Sequence, residues 1–218
     1  MSEQAYELST ADALFATASG YAAHCLQSLR SQGDGHLLER DLKKALAEGL
    51  ASQGAEVRSE AHYQLPNWDP QPGAVDVSVG RDGEPHALAE LKWANENKVW
   101  EMLWDALKLA NALAVDTVTS AYLVCGAPDA SWHKPVQGAE VFDPGVCQFV
   151  DLIRRNEEWW THYQIPQSAG SPLRGPSQLE ITKVADVRLT IRDLVWRLRT
   201  VRIHPAGEPV EFRDGIPA

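Results

Sequence analysis

The chain has 218 residues, 44% hydrophobic and 23% charged, the balance of a globular protein with one sizeable domain. Its net charge of −10 excludes a protein that coats nucleic acid through a generally basic surface, but leaves room for a local basic patch. The polar, acidic start Met1-Ser-Glu-Gln-Ala-Tyr-Glu7 does not resemble a signal peptide, and no apolar run is long enough to cross a bilayer.

In chain order, Ser9-Thr10 offers an N-cap for a helix over residues 10–31, with Leu14, Phe15, Tyr21, Cys25 and Leu29 as apolar positions. Gln32-Gly-Asp-Gly35 breaks it. Asp34 can cap a second helix over 36–53, where Leu38, Leu42, Ala45, Leu46 and Leu50 repeat at helical spacing and Gly54 ends the run. Residues 55–63 alternate like a half-exposed strand, and three prolines make 65–73 a loop. Two strand-like runs follow, Gly73-Ala-Val-Asp-Val-Ser-Val79 and His86-Ala-Leu-Ala-Glu-Leu-Lys-Trp93, joined by the turn Gly80-Arg-Asp-Gly-Glu84. A helix is expected over 96–114, then a buried strand over 117–125.

Beyond Gly126 the pattern weakens. A short strand is expected at 139–142, a helix from Asp143-Pro144 to about 162, and a linker at 167–177. From Leu179 onward alternation returns and predicts strands, with a terminal hairpin around Pro205-Ala-Gly-Glu208; a helix over 193–199 is the competing assignment. The order through residue 125 predicts a mixed sheet flanked by helices: an antiparallel meander of three strands and a helical crossover to a fourth.

Cys25, Cys125 and Cys147 are scattered in apolar contexts and suggest neither a zinc set nor a disulfide framework, so a reducing, cytoplasmic setting is expected. P-loop, G-x-S-x-G, G-x-G-x-x-G and H-E-x-x-H motifs are all missing from the sequence. Instead Asp76 lies on one strand, and Glu90 and Lys92 on the next. Glu90 and Lys92 are two apart and share a face, sending Leu91 and Trp93 to the other. Such a group can hold a divalent metal beside a phosphate, or can be solvated charge on a hairpin.

Asp76 with Glu90-Leu91-Lys92, inside an αβββαβ order, resembles the PD-(D/E)XK nuclease superfamily, the fold of many restriction endonucleases. The resemblance covers residues 36–125. It places Val75 where the family's name has proline. It implies a single α/β domain with a restriction-endonuclease-like core at about 36–125, preceded by the helix at 10–31 and followed by a C-terminal extension over about 139–218. It further implies Mg²⁺ or Mn²⁺ held by Asp76, Glu90 and the backbone carbonyl of Leu91, with Lys92 assisting water and Glu39 on the helix completing the site. The implied activity is phosphodiester hydrolysis, with DNA as the substrate.

Register makes the site testable. A plain two-residue Asp82-Gly83 turn would set Asp76 opposite Ala89 and send Glu90 to the wrong face. Bringing Asp76 and Glu90 together requires an odd-length loop or a bulge at the turn Arg81–Glu84.

Other residues carry two readings each. Glu101, Asp105 and Lys108 fall on one helix stripe and are explained by helix-stabilising pairs, although Lys108 could reach a phosphate. His133 is a surface histidine or a loop residue near substrate. Trp159-Trp160 is core or a stacking pair. Residues 183–204 are net +4, leaving −14 for the rest; Arg188, Arg192, Arg197, Arg199 and Arg202 are either a solvated face or a row of guanidinium groups for phosphates or a partner. Two alternatives therefore stand beside the nuclease: a nuclease-like fold that no longer cuts and acts as a binding or regulatory module, and an unrelated α/β protein that uses its tryptophan- or arginine-rich surfaces to bind another protein or a second copy of itself.

Overall fold

The computed structural model describes residues 3–31, 39–63, 73–81, 84–93, 101–113, 118–132, 139–155, 173–213 and 216–217. Helix α1 (Glu3–Ser31) begins well before the cap expected at Ser9-Thr10, because the preceding residues are mostly good helix formers and simply continue the turn. Its buried face is Phe15, Ala18, Ser19, Ala22, Ala23 and Leu26, a three-and-four spacing dominated by small residues. Tyr21 and Leu29, expected on that face, are exposed. Helix α2 (Glu39–Ala51) buries Leu42, Ala45, Leu46, Gly49 and Leu50, and ends at Gly54 in a left-handed conformation (φ 83°). A Cβ at Gly49 would lie 3.0 Å from the Ala18 backbone, so glycine lets the two helices cross closely.

The strands are β1 (Glu56–Tyr63), β2 (Gly73–Arg81), β3 (Glu84–Trp93), β4 (Ser120–Pro128), β5 (Gly145–Cys147), β6 (Leu173–Ile191), β7 (Leu194–Arg213) and β8 (Ile216–Pro217). They form one sheet in the order β1-β2-β3-β4-β7-β6-β5, with β8 on β7. The first three make the expected antiparallel meander. Helix α3 (Glu101–Ala112) is the crossover that returns the chain to β4 parallel to β3. The protein is thus α/β with a mixed sheet. One core lies between the sheet and α1 and α2, where Leu91, Trp93, Tyr122 and Leu198 are buried. The other lies beneath α3 and α4 (Phe149–Arg155), around Leu103, Leu107, Leu123 and Phe149. No helix among the described residues is long and apolar enough to cross a membrane.

Four expectations fail after residue 126, the first being the linker at 167–177, which is already strand β6 from Leu173 onward. Residues 139–142 form a 3-10 turn rather than a strand. The helix expected from Asp143 starts only at Phe149, because Gly145 has φ 125° and releases Val146 into extended pairing with Glu180. The long hairpin turns at Arg192 and Asp193, both left-handed (φ 48° and 63°), rather than at 205–208. Gly207 (φ 71°) is instead absorbed within β7, close to where the β6–β7 register shifts between Pro176 and Gln178. The proposed caps at Asp34 and Asn95, His133, and Trp159-Trp160 lie outside the described residues.

Candidate functional site

The hairpin of β2 and β3 resolves the register question. Arg81 pairs with Glu84 and Gly80 with Pro85, as in a plain two-residue turn. One residue further the ladder shifts: Val79 pairs with Ala87, Ser78 with Leu88 and Val77 with Ala89. His86 is the extra residue of a β-bulge, so the next position outward sets Asp76 across from Glu90. The bulge foreseen for the turn therefore lies just past it, on β3. Asp76 Oδ2 accepts a 2.8 Å hydrogen bond from the Leu91 amide, which fixes the acid against the β3 backbone. Glu90's carboxyl lies within hydrogen-bonding reach of Asp76.

Two helices complete the cluster. From α2, the Lys43 ammonium lies 2.7 Å from Asp76 Oδ1, and Glu39 Oε2 lies 3.4 Å from the Lys92 ammonium. Glu39 and Lys43 are one helical turn apart, which brings both to the same side of α2. From α3, the Lys108 ammonium is 2.5 Å from Glu90 Oε1 and 3.6 Å from Asp105 Oδ1. Asp76, Glu90, Lys92 and Glu39, named from the sequence, are therefore gathered in one place. Glu90 is nearly sealed from solvent, its side chain 4% exposed.

The environment pulls these groups apart electrically. Burial, then the Asp105 charge, holds Glu90 well above the ordinary carboxylate range, against the pull of Lys108. Burial also pushes Asp105 up to about 6, opposed by Lys108 and Lys92 and aided by Asp76 and Glu39. Asp76 goes the other way. Burial alone would raise it, but the Lys43 and Leu91 hydrogen bonds outweigh that and hold it below its usual value. Burial likewise acts to lower Lys108, yet the Glu90 and Asp105 carboxylates raise it. The result is one acid held below its usual range, Asp76, in contact with one held above it, Glu90.

Sequence reading missed Lys43 and undervalued Asp105 and Lys108. On α3 the neighbours Met102, Leu103, Ala106, Leu107, Leu109 and Ala110 are all buried. Asp105, Lys108 and Asn111 are a polar stripe spaced by three on an otherwise apolar helix. A stripe that narrow faces a polar interior rather than bulk water, and this was the available signal. Asp105 and Lys108 do form the helix pair expected of them, but they form it against Glu90. Glu101's side chain lies outside those described.

Among the described residues no group of three or more His, Cys, Asp or Glu stands ready as a metal ligand set. The donors that would serve are oxygen atoms: the Asp76 and Glu90 carboxylates and the Leu91 carbonyl. Glu90 Oε1 is buried and held by the Lys108 ammonium. That donor set suits Mg²⁺ or Mn²⁺, hard cations that keep several waters and need few protein oxygens.

The C-terminal arginines are compensated within the chain. Arg197 donates to Asp129 at 2.6 Å and Asp186 at 3.0 Å. Arg199 stacks on Trp132, 4.4 Å from the ring centre, and lies 3.7 Å from Asp186 and 3.8 Å from Asp143. Arg188 is 3.8 Å from Asp129. Arg202 pairs with Asp12 of α1 at 3.1 Å, on the opposite side of β7. Arg192 occupies the hairpin turn. Arg188, Arg197 and Arg199 thus share one face of the sheet, each with an aspartate partner, while Arg202 lies on the other face and Arg192 in the turn. No protein-family model, curated protein or solved structure matches the chain.

Proposed function

We propose that the chain is a divalent-cation-dependent nuclease of the PD-(D/E)XK type, with a restriction-endonuclease-like core, hydrolysing phosphodiester bonds in DNA. The observation that carries this reading is the bulge at His86. Without it Asp76 and Glu90 would lie on opposite faces; the same register also sets Val77 and Val79 beside Ala87 and Ala89 in one core, so a single shift aligns both the acids and the apolar face. The meander, the α3 crossover and the parallel β3–β4 pair support the same reading.

Asp76, Glu90 and the Leu91 carbonyl would hold Mg²⁺ or Mn²⁺, with Glu39 nearby. The cation would supply an acidified water and polarise a phosphoryl oxygen. Lys92, two residues from Glu90 on the same face and steered by Glu39, sets a positive charge where the attacking oxygen and phosphate become more negative. Lys108 holds Glu90 in place from the α3 side.

A second reading is favoured by one observation. Lys43 and Lys108 already neutralise Asp76 and Glu90, and the arginines of β6 and β7 are matched by aspartates, as suits a nuclease-like module that binds without cutting. Cleavage of plasmid and linear DNA in Mg²⁺ separates the two. Glu90→Ala and Lys92→Ala should each reduce the wild-type rate by about 100-fold or more. Equal rates in all three proteins would eliminate the site; DNA binding without cleavage by the wild type would establish the second reading.

A further inference from the structure

Lys43 and Glu60 are charged members of the cluster that the chemistry above leaves unused. The Lys43 ammonium sits between two carboxylates, 2.7 Å from Asp76 Oδ1 and 3.3 Å from Glu60 Oε1. Its side chain is 20% exposed, whereas that of Glu60 is 75% exposed. Glu60 also has a left-handed backbone, φ 54°, which a non-glycine residue adopts only under local strain. It falls where the β1–β2 ladder skips a pair: Ser59 pairs with Val77 and Ala61 with Val75, leaving Glu60 facing Asp76. The distortion of β1 is thus confined to the position beside Asp76, and it brings a second carboxylate to the same ammonium.

We propose that Lys43 is a displaceable internal counter-ion that competes with a divalent cation for Asp76, and that Glu60 is the seat to which it withdraws. The proposal rests on reading Asp76 as a metal ligand. A divalent cation on an Asp76 oxygen would come within a few ångströms of the ammonium, and two cations that close repel strongly in a half-buried site. Lys43 therefore has to move. Glu60 is already in contact and is well hydrated, so the ammonium can shift toward it without becoming a buried, unpaired charge. In the cation-free protein the same lysine neutralises Asp76 and relieves its repulsion with Glu60. The pair Lys43–Glu60 then sets the concentration at which a cation enters.

The test is Mn²⁺ binding to the full chain, measured by calorimetry and by the spin-resonance signal of free Mn²⁺. Lys43→Gln should tighten binding by about tenfold, since it removes the competitor and keeps the shape of the side chain's stem. Lys43→Arg should stay close to wild type. Glu60→Gln, on an exposed side chain that leaves the Lys43–Asp76 pair intact, should weaken binding by about threefold by removing the alternative seat. If the wild type binds Mn²⁺ and Lys43→Gln binds it equally or more weakly, Lys43 only positions Asp76 and the counter-ion role is wrong. If neither the wild type nor Lys43→Gln binds Mn²⁺ while both remain folded, the metal site itself is wrong and this proposal falls with it.

Discussion

Asp105 offers a direct test of the electrostatics of the cluster. Its carboxyl is raised from 3.8 to about 6, by burial first, against the attraction of Lys108 and Lys92. In the folded protein the acid keeps its proton to about pH 6, while the unfolded chain releases it near 3.8. Between those values the folded state binds more protons, so stability falls as pH rises. A shift of roughly two pKa units corresponds to about 3 kcal/mol, fully present as a penalty above about pH 6 and absent below the unfolded value. Asp105→Asn cannot ionise and escapes this penalty. Glu90 titrates in both proteins, and losing the Asp105 charge eases its ionisation in the variant, which adds to the difference in the same direction. Urea unfolding followed by tryptophan fluorescence gives the free-energy difference between variant and wild type. That difference should grow in favour of the variant by about 3 kcal/mol between about pH 4 and pH 8. A difference that stays flat across this range, or shrinks as pH rises, would refute the account of a buried acid held proton-bearing.

Three further expectations concern neighbouring contacts. A Cβ at Gly126 would overlap the Trp93 ring, which is stacked on Trp196 at 4.6 Å and has no free side to move into; Gly126→Ala should cost about 2–3 kcal/mol and lower the melting temperature by about 5–10 °C, and an unchanged melt would contradict this packing. Lys108→Met leaves the buried Glu90 without its counter-charge and should cost about 3 kcal/mol at neutral pH, while the double variant Lys108→Met/Glu90→Gln should recover most of that in the same unfolding assay; no recovery would mean that the two do not act as a pair. Arg197→Ala takes the closest cation from Asp129 and Asp186, leaving them only the more distant Arg188 and Arg199, and should cost about 1–2 kcal/mol in chemical denaturation, a loss that Asp129→Asn made alongside it should partly mask; strictly additive losses would show that the ion pair contributes nothing.

Much of the first half of the fold was legible in the sequence, because each element there carries its own signal. Leu42, Leu46 and Leu50 mark the helix face of α2, Gly54 marks its end, and the alternation through Ala87, Ala89 and Leu91 marks β3. The site was legible for a related reason: Glu90 and Lys92 lie two apart on a strand, and the need for a bulge followed from counting residues around Asp82-Gly83. The position of that bulge, at His86, was not, since nothing local distinguishes a bulge in the turn from one just beyond it. Lys43 was invisible because its significance depends on Asp76 and Glu60, distant in sequence. The C-terminal half was poorly legible. Arg192 and Asp193 make the turn without glycine, whereas Pro205-Ala-Gly-Glu208 has turn composition yet lies within a strand. There tertiary pairing of β6 with β7 overrides local preference.

The central claim is that Asp76 and Glu90 form a divalent-cation site. Anomalous diffraction from crystals equilibrated with Mn²⁺ tests it most directly. The account requires a single strong peak between the Asp76 and Glu90 carboxylates and beside the Leu91 carbonyl, with the Lys43 ammonium drawn away from Asp76. Ordered density for Lys43 on Asp76 and Lys108 on Glu90 at saturating Mn²⁺, with no peak between the two acids, would contradict it.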